Sequence, residues 1–242
     1  MGPVPSLDKS CCVVFLGSVD YSAALRLQMQ ICEQKKRNFH EDVLLLLEHP
    51  PTITLGRNGN WQHLLVSAET LAARGVRCHE VDTGGDITFH GPGQLVGYPL
   101  LQLEAGERDV HLFMRNLEEV IIRVLRSFGI VASRRAGATG VWTSRGKIAA
   151  QGVHVSRWIT RHGFALNVQT DLSFFDLIVP CGIVGSSVAS MSSILHRPVE
   201  LSEVVDRLIP EFGRVMGRKM AWLSEPELRE RLESHAREIA VA

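Results

Sequence analysis

Three short stretches hold residue types that do nucleophilic or acid–base chemistry. The longest runs Thr83-Gly84-Gly85-Asp86-Ile87-Thr88-Phe89-His90-Gly91-Pro92-Gly93-Gln94, with four glycines and a proline in twelve residues. Glycine tolerates positive φ and lets backbone approach a ligand, and proline presets a turn, so the pattern delivers His90 into a Gly-Pro-Gly turn. A tight hairpin in which His90 only packs or hydrogen-bonds locally fits the same composition. The spacing is not a dinucleotide fingerprint, and no Gly-Lys-Ser/Thr follows to make a nucleotide P-loop. The second stretch is Pro180-Cys181-Gly182, a rigid turn that can expose a sulfur. Taken alone, a free cysteine is usually a small buried hydrophobe. The third is Lys147 at the head of an apolar strand pattern, where a lysine is ordinarily a solvated charge.

The elements that must position these residues are legible in part. Cys11–Leu16 is an apolar run of strand length. Asp20 predicts the cap of a helix from Tyr21 to about Arg37, with Ala24, Leu27 and Ile31 on one face. Val43–Leu47 is a buried strand stopped by His49-Pro50-Pro51, and Thr52–Leu55 is the next. Ser67 opens a brief helix closed by Gly75. Cys78–Val81 and Asp86–Phe89 flank the Gly-Gly turn, and Leu95–Leu103 is a strand whose Pro99 assigns it to an edge or a bulge. Asp109 caps the clearest helix, with an apolar stripe from Val110 to Phe128 and Gly129 to end it. Strands follow at Gly140–Thr143, Lys147–Val155 and Arg161–Val168, and Asp171–Ile178 connects to Cys181. Ser202 begins a helix that Pro210 should kink or end. Ser224-Glu225-Pro226-Glu227 is a capping box opening a last helix to about Ile239. Strands and helices mix without strict βαβ alternation, so the class is α+β or mixed α/β.

Composition narrows the function classes. The chain has 242 residues, enough for one sizeable core. Its 26 basic and 26 acidic residues balance, which argues for neither a nucleic-acid nor a membrane partner. There is no run of eighteen apolar residues and no signal-peptide pattern at the start. Five cysteines without CxxC spacing suit neither a disulfide framework nor a zinc ribbon, and point to a reducing cytoplasm.

The Thr83–Gln94 stretch resembles the Arg-Gly-Gly-x-x-Thr-x-His-Gly-Pro-Gly-Gln signature of lipoyl(octanoyl) transferases. Further stretches fit in the same order: Glu48-His49-Pro50-Pro51 with Thr54-Leu55-Gly56, Lys147-Ile148-Ala149-Ala150, His162-Gly163-Phe164-Ala165-Leu166-Asn167-Val168, and Pro180-Cys181-Gly182-Ile183. Together they span roughly residues 13 to 195. The resemblance implies a biotin/lipoate protein ligase-like fold, a mixed β-sheet flanked by helices, with no cofactor and no metal. The chain is expected to divide into a disordered tail over 1–10, which carries two prolines, a catalytic domain over 11–218 and a C-terminal helical extension over 219–242. The resemblance makes Cys181 the acyl-carrying nucleophile and Lys147 its partner, since a nearby ammonium favours thiolate and a desolvated lysine accepts a proton. Acyl-binding positions carry over to Thr83, Gly84, Gly85, Asp86, Ile87, Thr88, Phe89 and His90, to Ala150, Gln151 and Gly152, and to Gly163, Phe164 and Ala165. Ile87, Phe89 and Phe164 are expected to line the chain, although Gly163 and Ala165 also suit close packing of strands.

The implied reaction moves octanoate from octanoyl-acyl carrier protein to a lipoyl-domain lysine. The acceptors would be the E2 subunits of 2-oxoacid dehydrogenases and the glycine cleavage H protein. Thr83 stands where the family usually has arginine, Gln151 and His154 where it has isoleucine and arginine, and Gly185 and Ala189 where it has an acid and a threonine. The rival readings are an ATP-dependent lipoate or biotin ligase, a non-catalytic binding module for carrier or lipoyl domains, and a thiol hydrolase using Cys181 with His90. Charge order adds a partner surface. From Val120 to Thr170 there are eight basic residues and no acidic one, so Arg134, Arg135, Arg145, Arg157 and Arg161 predict a basic rim that steers acidic carrier proteins.

Overall fold

A computed structural model describes residues 9–180 and 187–241. In chain order its first half comprises β1 (Lys9–Ser18), α1 (Tyr21–Lys36), β2 (Asp42–Glu48), β3 (Thr52–Leu55), α2 (Ala68–Ala73), β4 (Arg77–Glu80), β5 (Ile87–His90) and β6 (Gln94–Leu100). Then come α3 (Val110–Ser127), β7 (Ser133–Arg135), β8 (Ala138–Thr143), β9 (Gly146–Ser156), β10 (Ile159–Asn167), α4 (Met191–Leu195), α5 (Leu201–Met216), β11 (Arg218–Trp222) and α6 (Glu225–Val241). The class is α+β, with a large mixed sheet flanked by helices. That sheet runs β11-β1-β2-β6-β10-β9-β8-β7, and β4-β3-β5 form a smaller one.

The apolar run of β2 is continuous because both of its faces are covered. Leu44 and Leu46 join the core under α3 and α5, whereas Val43, Leu45 and Leu47 join the core under α1 and α6. The predicted caps form: Asp20 accepts from Ser22 N, Asp109 from Leu112 N, and Ser224 exchanges bonds with Glu227. A third core, of Ile53, Leu55, Leu71, Val76, Ile87, Phe89 and residues of the 172–178 turn, lies behind the small sheet.

Four features depart from the sequence reading. First, β4 and β5 do not pair with each other across the Gly-Gly turn; β3 lies between them, parallel to β4 and antiparallel to β5. Second, β6 is central rather than an edge. Pro99 is tolerated because the β10 ladder ends at Phe164 opposite Gly97, and Thr160 bridges the gap: its hydroxyl donates to Pro99 O at 2.7 Å and accepts from Leu101 N at 3.0 Å. Third, α5 runs through Pro210, carried by a buried face of Val204, Val205, Leu208, Phe212 and Met216. Fourth, the unpredicted β11 pairs parallel to β1 from Lys9 to Val13, so residues 218–222 belong to the main sheet, and α6 buries Leu228 and Leu232 against the α1 side.

Candidate active site

A cleft opens where the small sheet meets the main sheet beside the N-terminus of α1. It encloses about 580 Å³ of atom-free space, part of it open to solvent. Thr54 of β3, Thr88 and His90 of β5, Val96 and Tyr98 of β6, Ala150–Gly152 of β9, His162–Ala165 of β10 and Tyr21 line it. A Cβ on Gly152 would meet Thr83 at 3.4 Å, an ordinary contact, so strand packing does not itself require a glycine there. A Cβ on Gly163 would come within 2.2 Å of Gly97 O, so its absence is a packing requirement of the strand pair.

The Gly-Pro-Gly turn has a defined geometry. Gln94 N donates to Gly91 O at 3.1 Å, and Gly93 has φ +76, as expected of a type II turn with Pro92 and Gly93 at its centre. Gly93 N donates to a carboxylate oxygen of Glu48 at 2.6 Å, which explains the acid that ends β2. The next residue, His49, is fully buried: Nδ1 donates to Val19 O at 2.6 Å, and Tyr98 OH donates to Nε2 at 2.8 Å. Burial pushes His49 down to about 4, against the pull of the Val19 carbonyl. Burial, with His49 nearby, pushes His90 down to about 3. His162 is also lowered by burial, although Asp82 accepts from its Nε2 at 2.8 Å. His90 and His162, which line the cleft, and the neighbouring His49 are therefore neutral imidazoles at neutral pH.

A separate recess, which shares the wall residues Thr88, Ala150 and Ala165 with the cleft, holds Lys147. Lys147 is only 8% exposed. Its ammonium lies 5.5 Å from the centre of the Trp142 ring, and its Cε runs beneath Gly140, where a Cβ would intrude to 2.5 Å. Pro180 and Val188 line the same recess. Lys147 N donates to Ser187 O and Ala189 N to Lys147 O, both at 2.9 Å.

Of the residues named from sequence, Thr83, Gly85, Asp86, Thr88, His90, Ala150, Gln151, Gly152, Gly163, Phe164 and Ala165 line the cleft, and Gly84 does not. Ile87 and Phe89 face the third core instead, because β5 alternates and its other face, Thr88 and His90, meets the cleft. Gln151 turns its amide to α3, donating to Glu118 at 2.9 Å. Cys181 lies outside the described residues. Tyr21, Thr54, Val96, Tyr98 and His162 line the cleft without having been assigned a role there; the alternation of Val96 and Tyr98 along β6 was the available signal.

The other four thiols are poor nucleophiles. Burial raises all four, Cys11 strongly, Cys12 and Cys32 to about 11, and Cys78 more modestly. Two of the five arginines expected on the basic rim are engaged by acids. Arg134 binds the buried Glu118 at 3.0 Å, Glu119 at 2.8 Å and Arg115 O at 2.9 Å, and Arg161 pairs with Asp82. Glu118 and Glu119 lie on α3 just before the basic run, and the fold brings β7 back to them.

Residues 20–213 match the model of the lipoyl protein ligase A/B catalytic domain. The octanoyltransferase of Solibacter usitatus is 48% identical over 212 residues, covering 88% of this chain and 96% of that protein. The octanoyltransferase of Chloroflexus aurantiacus is 50% identical over 206 residues, covering 84% and 92%. The chain belongs to the octanoyltransferase family. Its fold is also that of a bipartite lipoate protein ligase from Thermoplasma acidophilum, with a TM-score of 0.72 at 19% identity over 96% of this chain and 92% of that one.

Proposed function

We propose that this chain transfers octanoate from octanoyl-acyl carrier protein to the acceptor lysine of lipoyl domains, the first step of protein lipoylation, through a thioester on Cys181. The observation that carries the reading is the burial of Lys147 in a recess that shares three wall residues with the apolar-walled cleft and is also lined by Pro180, the residue before Cys181. The raised thiols of Cys11, Cys12, Cys32 and Cys78 support Cys181 as the nucleophile. Family membership supports the acyl group and the class of acceptor.

In the first half-reaction Lys147 takes the Cys181 proton. The thiolate attacks the octanoyl carbonyl, the tetrahedral intermediate collapses, and the phosphopantetheine thiolate leaves with that proton. In the second, the neutral amine of the acceptor lysine attacks the Cys181 thioester. Lys147 removes the proton from the nitrogen and returns it to the departing Cys181 sulfur. Thioester exchange is nearly balanced and amide formation runs downhill, so no ATP is consumed. The cleft holds the acyl chain away from water, which limits hydrolysis of the intermediate. The acceptors are the E2 lipoyl domains of 2-oxoacid dehydrogenases and the glycine cleavage H protein, met in a reducing cytoplasm. Among the described residues no helix is long and apolar enough to cross a membrane.

Intact-mass spectrometry after mixing with octanoyl-carrier protein tests the scheme. One octanoyl adduct is expected on the wild type and none on Cys181→Ser, and Lys147→Ala should slow both half-reactions. Normal turnover by Cys181→Ser would overturn the covalent route. A requirement for ATP would replace it with the ligase reading.

A further inference from the structure

The recess that holds Lys147 also holds two buried amides, Gln94 and Asn167, which are 2% and 4% exposed. Their hydrogen bonds form one directed chain. Asn167 Nδ2 donates to Ala189 O at 3.0 Å. A carbonyl only accepts, so the other end of the Asn167 amide, Oδ1, faces Gln94 and accepts from its Nε2 at 2.9 Å. Gln94 Nε2 also donates to a second carbonyl, Phe89 O, at 3.1 Å. Gln94 Oε1 is thereby left facing His90 Nδ1 at 2.8 Å, so that nitrogen carries the proton. Two backbone carbonyls thus dictate the orientation of both amides and the tautomer of His90.

The far end of this chain meets Lys147 where the sheet changes partners. β9 pairs with β10 only as far as Ala149 opposite Leu166. At Lys147 the place of β10 is taken by residues 187–189, with Val188 opposite Lys147 and both flanking hydrogen bonds at 2.9 Å. On its other side Lys147 pairs with Trp142 of β8. Asn167 is the last residue of β10, at the point of divergence, and its amide bridges to Ala189.

We propose that Asn167 is a positioning residue for acyl transfer: ordered by Gln94, it locks residues 187–189 against the backbone of Lys147 and so sets where the Lys147 side chain stands in the recess. The role rests on the reading of Lys147 given above. It uses a buried polar chain that is fully satisfied at each link, the arrangement that rigidifies a site. It also gives His90 a definite part, as the end of the chain that lies in the cleft.

Steady-state kinetics of the full chain with octanoyl-carrier protein and a lipoyl domain test the proposal. Asn167→Leu keeps the bulk but leaves Ala189 O without its donor. Its kcat should fall on the order of 10- to 100-fold while KM for the donor stays within about twofold, because the lost group places a base and not the substrate. Gln94→Met should show a smaller loss of the same kind. The double variant should be no more than about twofold slower than Asn167→Leu, since links of one chain are not additive. Asn167→Ser carries the same arms if Asn167→Leu does not fold. Normal kcat in the Asn167 variants beside an inactive Lys147→Ala overturns the positioning role alone, and a fully active Lys147→Ala overturns both readings. A KM rise at unchanged kcat, or losses that multiply in the double variant, likewise overturns the positioning role.

Discussion

Acidification should unfold this protein through His90 of the cleft wall and the buried His49 beside it. His49 is fully buried and is held neutral down to about pH 4 by burial; His90 is held neutral to about 3 by burial and by His49 beside it. In the unfolded chain both would titrate near 6.5. The folded values are the lower ones, so below pH 6.5 the unfolded state binds more protons. The stability these groups confer is present above pH 6.5 and is lost as pH falls toward the folded values. From pH 8 to pH 5 each histidine should remove about 2 kcal/mol, and the two together about 4, a large part of the 5–15 kcal/mol typical of a domain. The window reports imidazoles rather than carboxylates. Against the cost of burial, Arg218 holds Glu107 down to about 2, so its contribution is lost only below the ordinary value of 4.5. Urea melts at pH 8, 6.5 and 5 measure the slope. His49→Gln, whose amide can serve Val19 O and Tyr98 OH without titrating, should lose only about half as much over the same interval. A wild-type stability flat from pH 8 to 5, or wild-type and His49→Gln curves that run parallel, would refute the assignment.

Two further substitutions follow from contacts around the cleft. Gly163→Ala drives a Cβ to 2.2 Å from Gly97 O and 2.5 Å from Pro99 Cδ, both of which are fixed groups. It should cost at least about 1–3 kcal/mol, read as a lower Tm, and an unchanged Tm would show that the strands can part there. Arg134→Glu places a carboxylate against Glu119 and the buried Glu118, and should cost about 3–5 kcal/mol. Its activity should fall alike on octanoyl-carrier protein and on small octanoyl thioesters; a KM rise confined to the carrier protein would restore the steering rim.

What the sequence determined by itself was local. The caps at Asp20, Asp109 and Ser224 act within four residues, so helix starts were legible from side-chain chemistry. The Gly-Pro-Gly turn was legible because φ +76 at Gly93 is a property of one residue. The long Gly/His signature, the lysine and the cysteine, in order, sufficed for the family. Period-two alternation separated Thr88 and His90 from Ile87 and Phe89, but it could not say which pair meets the acyl cleft. That depends on which partner β5 takes, and β5 pairs with β3 instead of folding back on β4. Tertiary structure alone decided the rest. Pro99 sits in a central strand because β10, 61 residues away at Thr160, supplies the missing bonds through a side chain. Arg134 of β7 is paired with carboxylates on a helix already passed, which charge order along a chain cannot reveal. Asn167 gains its proposed role only because the main sheet exchanges β10 for residues 187–189 beside Lys147. Contacts of that range depend on how strands are ordered in space, and strand order is fixed by the burial of two faces at once rather than by any short stretch of sequence.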